Sequence, residues 1–255
     1  MGKLEGKVAL ITGAGSGIGA ATARLMAKEG AKIAITGVPA EGVHAVAKKL
    51  TDAGHDAIGV PTDVSKADQV ETAVAQTVEQ FGSLDILVPN AGIQMHNEDA
   101  NLHTLPEDVW DHTHDINYRG VYLTTKYGLA QMVKQNTGGA VVIVASITAL
   151  TGSSRNVAYM SGKHGLIGLS RHIAVHYAEH RIRCNSVCPG ALERTPNHDQ
   201  HPDPHGRDNR LRESIPLGRV GVPEDIAPMI TFLATPDASY ATGANFVVDG
   251  GLTVT

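Results

Sequence analysis

Short apolar runs recur along the chain at 7–12, 32–36, 56–60, 84–88, 140–145, 182–187 and 244–248. Each is nearly continuous in apolar residues rather than alternating, the pattern of strands buried on both faces. Between them lie segments with helical spacing, which predict helices from the glycine cluster at 13–19 to Glu29, over 41–53, up to Phe81, from Thr104 to about Gln135, over 159–180 and over 223–234. Gly30, Gly54 and Gly82 directly follow the first three and mark their ends. Ser65-x-x-Asp68 and Thr104-x-x-Glu107 read as capping boxes that open the third and fourth helices. Strand and helix alternate from end to end. That alternation predicts an α/β fold in which one domain, residues 1–255, holds a doubly wound parallel sheet of about seven strands with helices on both faces. In such a sheet the ligand crevice lies at the carboxyl ends of the strands. One segment, 191–216, breaks the rhythm: it is polar, proline-interrupted and aperiodic, and it leaves the sixth strand at the crevice end. We read it as a substrate lid.

Composition narrows the function classes. The 255 residues are 42% apolar, enough for a full core. A net charge of −5 and a pI near 6.2 argue against nucleic acid or an anionic membrane surface as partner. No apolar run is long enough to span a bilayer, and the N-terminus passes straight into a charged segment and a strand, without the pattern of a signal peptide. Two cysteines, Cys184 and Cys188, are too few for a disulfide framework and predict buried thiols in a reducing, cytoplasmic setting. Thirteen histidines raise the question of a metal. His172, His176 and His180 recur every four residues on one predicted helix, without an accompanying carboxylate or cysteine pattern, and read as a solvated or interface stripe. His198, His201 and His205 are irregularly spaced and read the same way; no metal is expected.

Two clusters carry candidate chemistry. Thr12-Gly13-x-x-x-Gly17-Ile18-Gly19 sits between the first strand and the first helix, where glycines permit a tight turn and a close approach to a pyrophosphate on the helix N-terminus. Ser146 ends the fifth strand, and Tyr159 and Lys163 lie one turn apart on one face of the following helix. A free phenol titrates near 10, so a proton shuttle at neutral pH needs roughly 4 kcal/mol of differential stabilisation of the phenolate. A neighbouring ammonium and a cationic cofactor in a dry pocket act in that direction, and a strand-end serine can donate a hydrogen bond to a substrate oxygen.

With Asn90-Ala91-Gly92 after the fourth strand, Asn117 in the long helix, Pro189-Gly190 after the sixth strand and the Val248-Asp249-Gly250-Gly251 ending, these elements stand in the order of a known family. From end to end the chain resembles the short-chain dehydrogenase/reductase family. The resemblance implies a Rossmann fold, a homotetramer and the NAD(P)-dependent interconversion of an alcohol and a ketone. Tyr159 would be the general acid/base, Ser146 would steady the substrate oxygen, Lys163 would hold the nicotinamide ribose and depress the tyrosine pKa, and Asn117 would anchor a water leading to solvent. Gly13, Ser16, Gly17, Ile18 and Gly19 match the phosphate turn, and Asp63 and Val64 match the positions that flank the adenine. By the same resemblance, Asn90, Ala91 and Gly92 would lie beside the ribose and pyrophosphate, and Pro189, Gly190, Leu192 and Thr195 near the nicotinamide.

Three departures from the family pattern matter. Gly37 occupies the position where a carboxylate would bond the ribose 2′-hydroxyl, and neither Val38 nor Ser16 offers a cation to a 2′-phosphate; the balance favours NAD, with NADP possible. Pro89 replaces an asparagine and marks a strand end. Thr195 stands one place later than usual, so either Arg194 takes its position or the loop bulges. The substrate pocket is expected to draw on Gln94, Met95, His96, Ser146, Ile147, Thr148, Arg155, Asn156 and Tyr159, and so to suit a small polar secondary alcohol, such as a sugar or polyol, or its ketone. The competing reading, a cofactor-sensing or scaffold protein that has lost turnover, predicts a damaged Ser-Tyr-Lys set, and that set is present here at ordinary spacing.

Overall fold

A computed structural model of the chain describes residues 2–96, 98–152, 156–193, 195 and 212–255. Its centre is one sheet of seven parallel strands: β1 (Val8–Ile11), β2 (Lys32–Gly37), β3 (Ala57–Pro61), β4 (Ile86–Val88), β5 (Gly139–Val144), β6 (Ile182–Pro189) and β7 (Asn245–Val248). The spatial order is β3-β2-β1-β4-β5-β6-β7, with every neighbouring pair parallel. The chain therefore winds outward from β1 to β3, returns to β4 on the other side of β1, and winds outward again. A crevice opens at that reversal, between the carboxyl ends of β1 and β4.

The apolar strand runs are explained by two core layers. Alternate residues of one strand point to opposite faces. Ala9 and Ile11 thus join Met26, Ile33, Ile35, Ile226 and Ile230 on one face, while Leu10 joins Leu87, Val141, Ile143 and Leu166 on the other. A polar residue on either face would be dehydrated, and each buried Leu or Ile contributes about 1.5–3 kcal/mol. The first layer is covered by α1 (Gly17–Lys28), α2 (Ala40–Asp52) and α7 (Pro223–Ala234). The second is covered by α3 (Ala67–Phe81), α5 (Gly120–Gln135) and α6 (Val157–His176). Cys184 and Cys188 are free, buried thiols on β6.

Helix ends depart from expectation where side chains find better partners. Ser65 does not cap α3: its amide and hydroxyl both donate to Asp63, at 2.9 and 2.8 Å, and the helix starts after Lys66. Thr104 lies in a 3-10 turn, its hydroxyl on the Asn101 carbonyl, and α4 (Glu107–His114) follows Pro106. The long helix expected over 104–135 is thus α4 and α5 joined by a π-turn, Asp115–Arg119. Gly120 explains the tight passage there, since a Cβ would sit 2.7 Å from Val64. The helix expected to reach His180 ends at His176, with a 3-10 turn beyond.

Candidate active site

The carboxyl ends of the central strands are stitched together before the site is built. The Thr12 hydroxyl, just after β1, accepts from the amides of Asn90 (2.9 Å) and Ala91 (3.1 Å), and the Asn90 side chain donates to the Thr12 carbonyl at 2.8 Å. Gly13 turns the chain at φ 63°, and a Cβ on it would lie 2.8 Å from the Ala91 Cα, so only glycine fits. α1 then begins behind Ser16, which makes no side-chain cap bond. Its first-turn amides lack intrahelical acceptors, and Ser16, Gly17 and Ile18 border a cavity of about 490 Å3.

That cavity runs from Gly37, Val38, Asp63 and Val64 at one end, past Gly13, Ser16, Gly17 and Ile18, to Asn90, Ala91 and Gly92 and on to Ser146, Tyr159 and Lys163. Pro189, Gly190, Leu192 and Thr195 close its far side. Gly19 does not border it. A Cβ there would be 2.5 Å from the Gly13 carbonyl, so the close packing of the turn requires glycine.

At the inner end Ser146 follows β5 and caps a short 3-10 turn, Ile147–Ala149, accepting from the Thr148 amide at 3.2 Å. The Tyr159 side chain borders the same end of the cavity. Lys163, one turn along α6, is 3% exposed; its Nζ donates to the Val144 carbonyl at 2.9 Å and lies 5.6 Å from the centre of the Tyr159 ring. Asn117 is fully buried on the π-turn, and both polar atoms of its side chain bind the Ile93 backbone at 2.9 Å.

A family model described as Enoyl-(Acyl carrier protein) reductase matches residues 13–253. A crystal structure of a short-chain type dehydrogenase/reductase from Mycobacterium marinum superposes with a TM-score of 0.90 at 32% identity, covering 99% of this chain and 97% of that one. The chain belongs to the short-chain dehydrogenase/reductase family. It is an oxidoreductase. Cis-4-hydroxycyclohexanecarboxylate dehydrogenase of Sinomonas cyclohexanicum is 42% identical over 247 residues, 97% of this chain and 96% of that protein. L-rhamnose 1-dehydrogenase (NAD(P)(+)) of Sphingomonas sp. is 39% identical over 252 residues, 98% of each chain.

Electrostatics in this short-chain dehydrogenase/reductase correct one expectation. The Tyr159 phenol stands above its ordinary value, not below it: although the residue is part-exposed along the crevice, the protein packed around the phenol raises it, the Ser146 hydrogen bond lowers it, and the neighbouring Cys188 raises it. Burial is the largest of these effects. The same dehydration lowers Lys163 to about 8. It also raises Cys188, which Ser146 and Lys163 partly offset.

Two residues expected in the substrate pocket do not border the cavity. The Met95 carbonyl turns to accept from Glu98 and Asp99, and Asn156 sits in left-handed backbone ahead of α6, its amide on the Asp99 carbonyl. Asn117 likewise does not border the cavity; its side-chain amide is bonded to the Ile93 backbone. Gln94, His96, Ile147 and Thr148 do border it. Arg155, Arg194, most of the 191–216 segment and its three histidines lie outside the described residues. His172 and His176 stack at 5.3 Å on the exposed side of α6, and no His/Cys/Asp/Glu group of three or more comes together among the described residues. Sequence reasoning missed the apolar walls Ile93, Ile116, Val220 and Leu252, and it missed Asp99, whose buried carboxylate bonds the first turn of α6. None of these carries a motif.

Proposed function

We propose that this chain is an NAD(P)-dependent dehydrogenase/reductase that interconverts a small polar secondary alcohol and its ketone, with NAD the preferred cofactor. The observation that carries the reading is the meeting of Ser146, Tyr159 and buried Lys163 at the inner end of an elongated crevice. The residues present fit a dinucleotide: uncapped α1 amides and the glycine turn would hold its pyrophosphate, Asp63 and Val64 its adenine, and Lys163 its nicotinamide ribose. A bound nicotinamide supplies hydride acceptance or donation and, when oxidised, a positive charge.

The chain's own groups handle the oxygen and its proton. In ketone reduction the Tyr159 phenol, held in its acid form by burial, delivers a proton to the substrate oxygen, while Ser146 steadies that oxygen by hydrogen bonding. In alcohol oxidation the same oxygen returns its proton to Tyr159, which needs the phenolate and therefore nearby positive charge. Lys163 supplies part of it: with a pKa of about 8 it is mostly protonated at pH 7.

The NAD preference rests on Gly37, Val38 and Ser16, which offer no cation to a 2′-phosphate; among the described residues lining the cavity, Lys163 is the only lysine or arginine. The substrate class rests on Gln94, Thr148, Ser146 and Tyr159 set against the apolar Ile93, Ile147 and Leu252. The names of the two relatives, a rhamnose and a hydroxycyclohexanecarboxylate dehydrogenase, point the same way. Ala191, Leu192, Thr195 and Val220, which flank the 191–216 segment or stand at its start, line the cavity, in keeping with that segment as its cover.

The test is a panel of sugars, polyols and ketones with NAD and NADP, followed by the absorbance of the reduced nicotinamide. Tyr159→Phe should lower turnover by about 10²–10⁴-fold with an unchanged melting temperature. Undiminished turnover in that variant, or turnover of bulky apolar ketones alone, refutes the proposal.

A further inference from the structure

The loop 93–99, which follows the Asn-Ala-Gly turn, carries Gln94 and His96 to the cavity. It is tied down at both ends. At its start, Ile93 is clasped by the Asn117 side chain. At its end sits Asp99, fully buried. One carboxylate oxygen of Asp99 accepts from the Ala158 amide at 3.0 Å, the other from the Tyr159 amide at 2.9 Å, and its carbonyl accepts from the Asn156 amide at 2.8 Å.

These bonds answer a deficit in α6. The first amides of any helix lack intrahelical acceptors, and a side chain at the N-cap normally takes one of them. Here the N-cap is Asn156, at φ 61°, and it makes no side-chain cap bond. Ala158 is wholly buried, so water does not serve in its place. Asp99 caps the helix from 59 residues away, and one of the two amides it holds is that of Tyr159 itself.

We infer that Asp99 is a positioning residue for the reaction: its carboxylate fixes the first turn of α6, and with it the Tyr159 phenol against Ser146, while latching the substrate-facing loop to that turn. This rests on the reading of Tyr159 as acid/base. The other parts of the site are anchored independently. Ser146 belongs to the end of β5, Lys163 is held by the Val144 carbonyl one turn deeper, and the dinucleotide cradle belongs to α1 and the β4 turn. Loss of Asp99 therefore displaces the phenol and leaves the cradle in place.

The experiment compares Asp99→Ala and Asp99→Asn with the unaltered chain by three measurements: kcat on an alcohol that the unaltered chain turns over, NADH affinity by the fluorescence of the bound cofactor, and amide hydrogen exchange over 156–160. Asp99→Ala should lose at least tenfold in kcat, keep its NADH Kd within twofold, and lose protection at Ala158 and Tyr159. Asp99→Asn retains one acceptor and should recover part of both the rate and the protection. A folded Asp99→Ala with kcat within twofold overturns the inference. So does a rate loss matched by an equal loss of NADH affinity, which marks general loosening. If Asp99→Ala does not fold, Asp99→Asn is judged on the same criteria. An unaltered chain that turns over no alcohol refutes the parent reading instead, and unchanged protection at Ala158 and Tyr159 in the variants still overturns the latch.

Discussion

Lys163→Met removes an ammonium that the fold holds 3% exposed, and the consequence for stability can be worked out with its sign. Burial lowers the folded pKa of Lys163 from 10.5 to about 8. Each unit corresponds to about 1.4 kcal/mol, so the charged lysine costs the native state about 3 kcal/mol relative to the unfolded chain. Below pH 8 both states are protonated and that cost is present in full. Between the two pKa values the unfolded chain binds more protons, so stability rises with pH; above the unfolded pKa the cost is gone. Methionine is of similar length and carries no charge to dehydrate. Against the gain, the Val144 carbonyl loses its 2.9 Å donor, which costs about 1–2 kcal/mol.

The balance is a stabilisation of about 1–2 kcal/mol at pH 7, or about 3–6 °C in Tm for a chain of this size. Turnover should be lost in the same variant, the usual trade between a strained site and a stable one. Thermal unfolding followed by far-UV circular dichroism, without cofactor, tests both sign and pH dependence. The gain should stay level up to about pH 8 and then shrink between about pH 8 and 10.5 as the unaltered protein sheds its cost. A variant that melts at or below the unaltered chain at pH 7, or a difference that does not shrink with rising pH, refutes the reasoning.

Two further outcomes follow from the crevice. Gly92→Ala places a Cβ 2.9 Å from Asn117 Oδ1 and 3.6 Å from Lys163 Nζ; overpacking of about 1–3 kcal/mol should weaken NADH binding at least tenfold in a fluorescence titration, and unchanged affinity counts against the placement of the cofactor. Val38, 68% exposed at the adenine end, leaves room for a cation: Val38→Arg should raise kcat/KM with NADP at least tenfold, since a charge-assisted bond contributes about 1.5–3 kcal/mol. A hundredfold preference of the unaltered chain for NADP would overturn the NAD assignment.

The strands and most helices were legible because a doubly covered sheet leaves a contiguous record: every residue of β1 is buried, and Val8–Ile11 carries no polar residue. Caps were less legible because they depend on competition between nearby partners. Ser65 has the form of a cap, yet Asp63 two residues back takes both of its donors. The π-turn at Asp115–Arg119 left no trace in the periodicity. It leads into Gly120, where a Cβ would sit 2.7 Å from Val64, a close approach between segments far apart in the chain.

The site divides along the same line. The Gly13 turn, Ser146 and the Tyr159–Lys163 pair were legible because each works through short spacing on one element. Asp99 was not: a lone acid in a polar loop acquires its role only from amides 59 and 60 residues onward. The acidity of Tyr159 failed for a different reason. A sequence shows that a lysine lies one turn away, but not how thoroughly the protein dehydrates the phenol, and the two effects have opposite signs. Burial raises the phenol and lowers the ammonium, so within the chain alone both groups are drawn towards their neutral forms. A phenolate beside Lys163 therefore requires positive charge beyond what these residues supply, and proton uptake at Tyr159 is coupled to whatever charge the crevice holds.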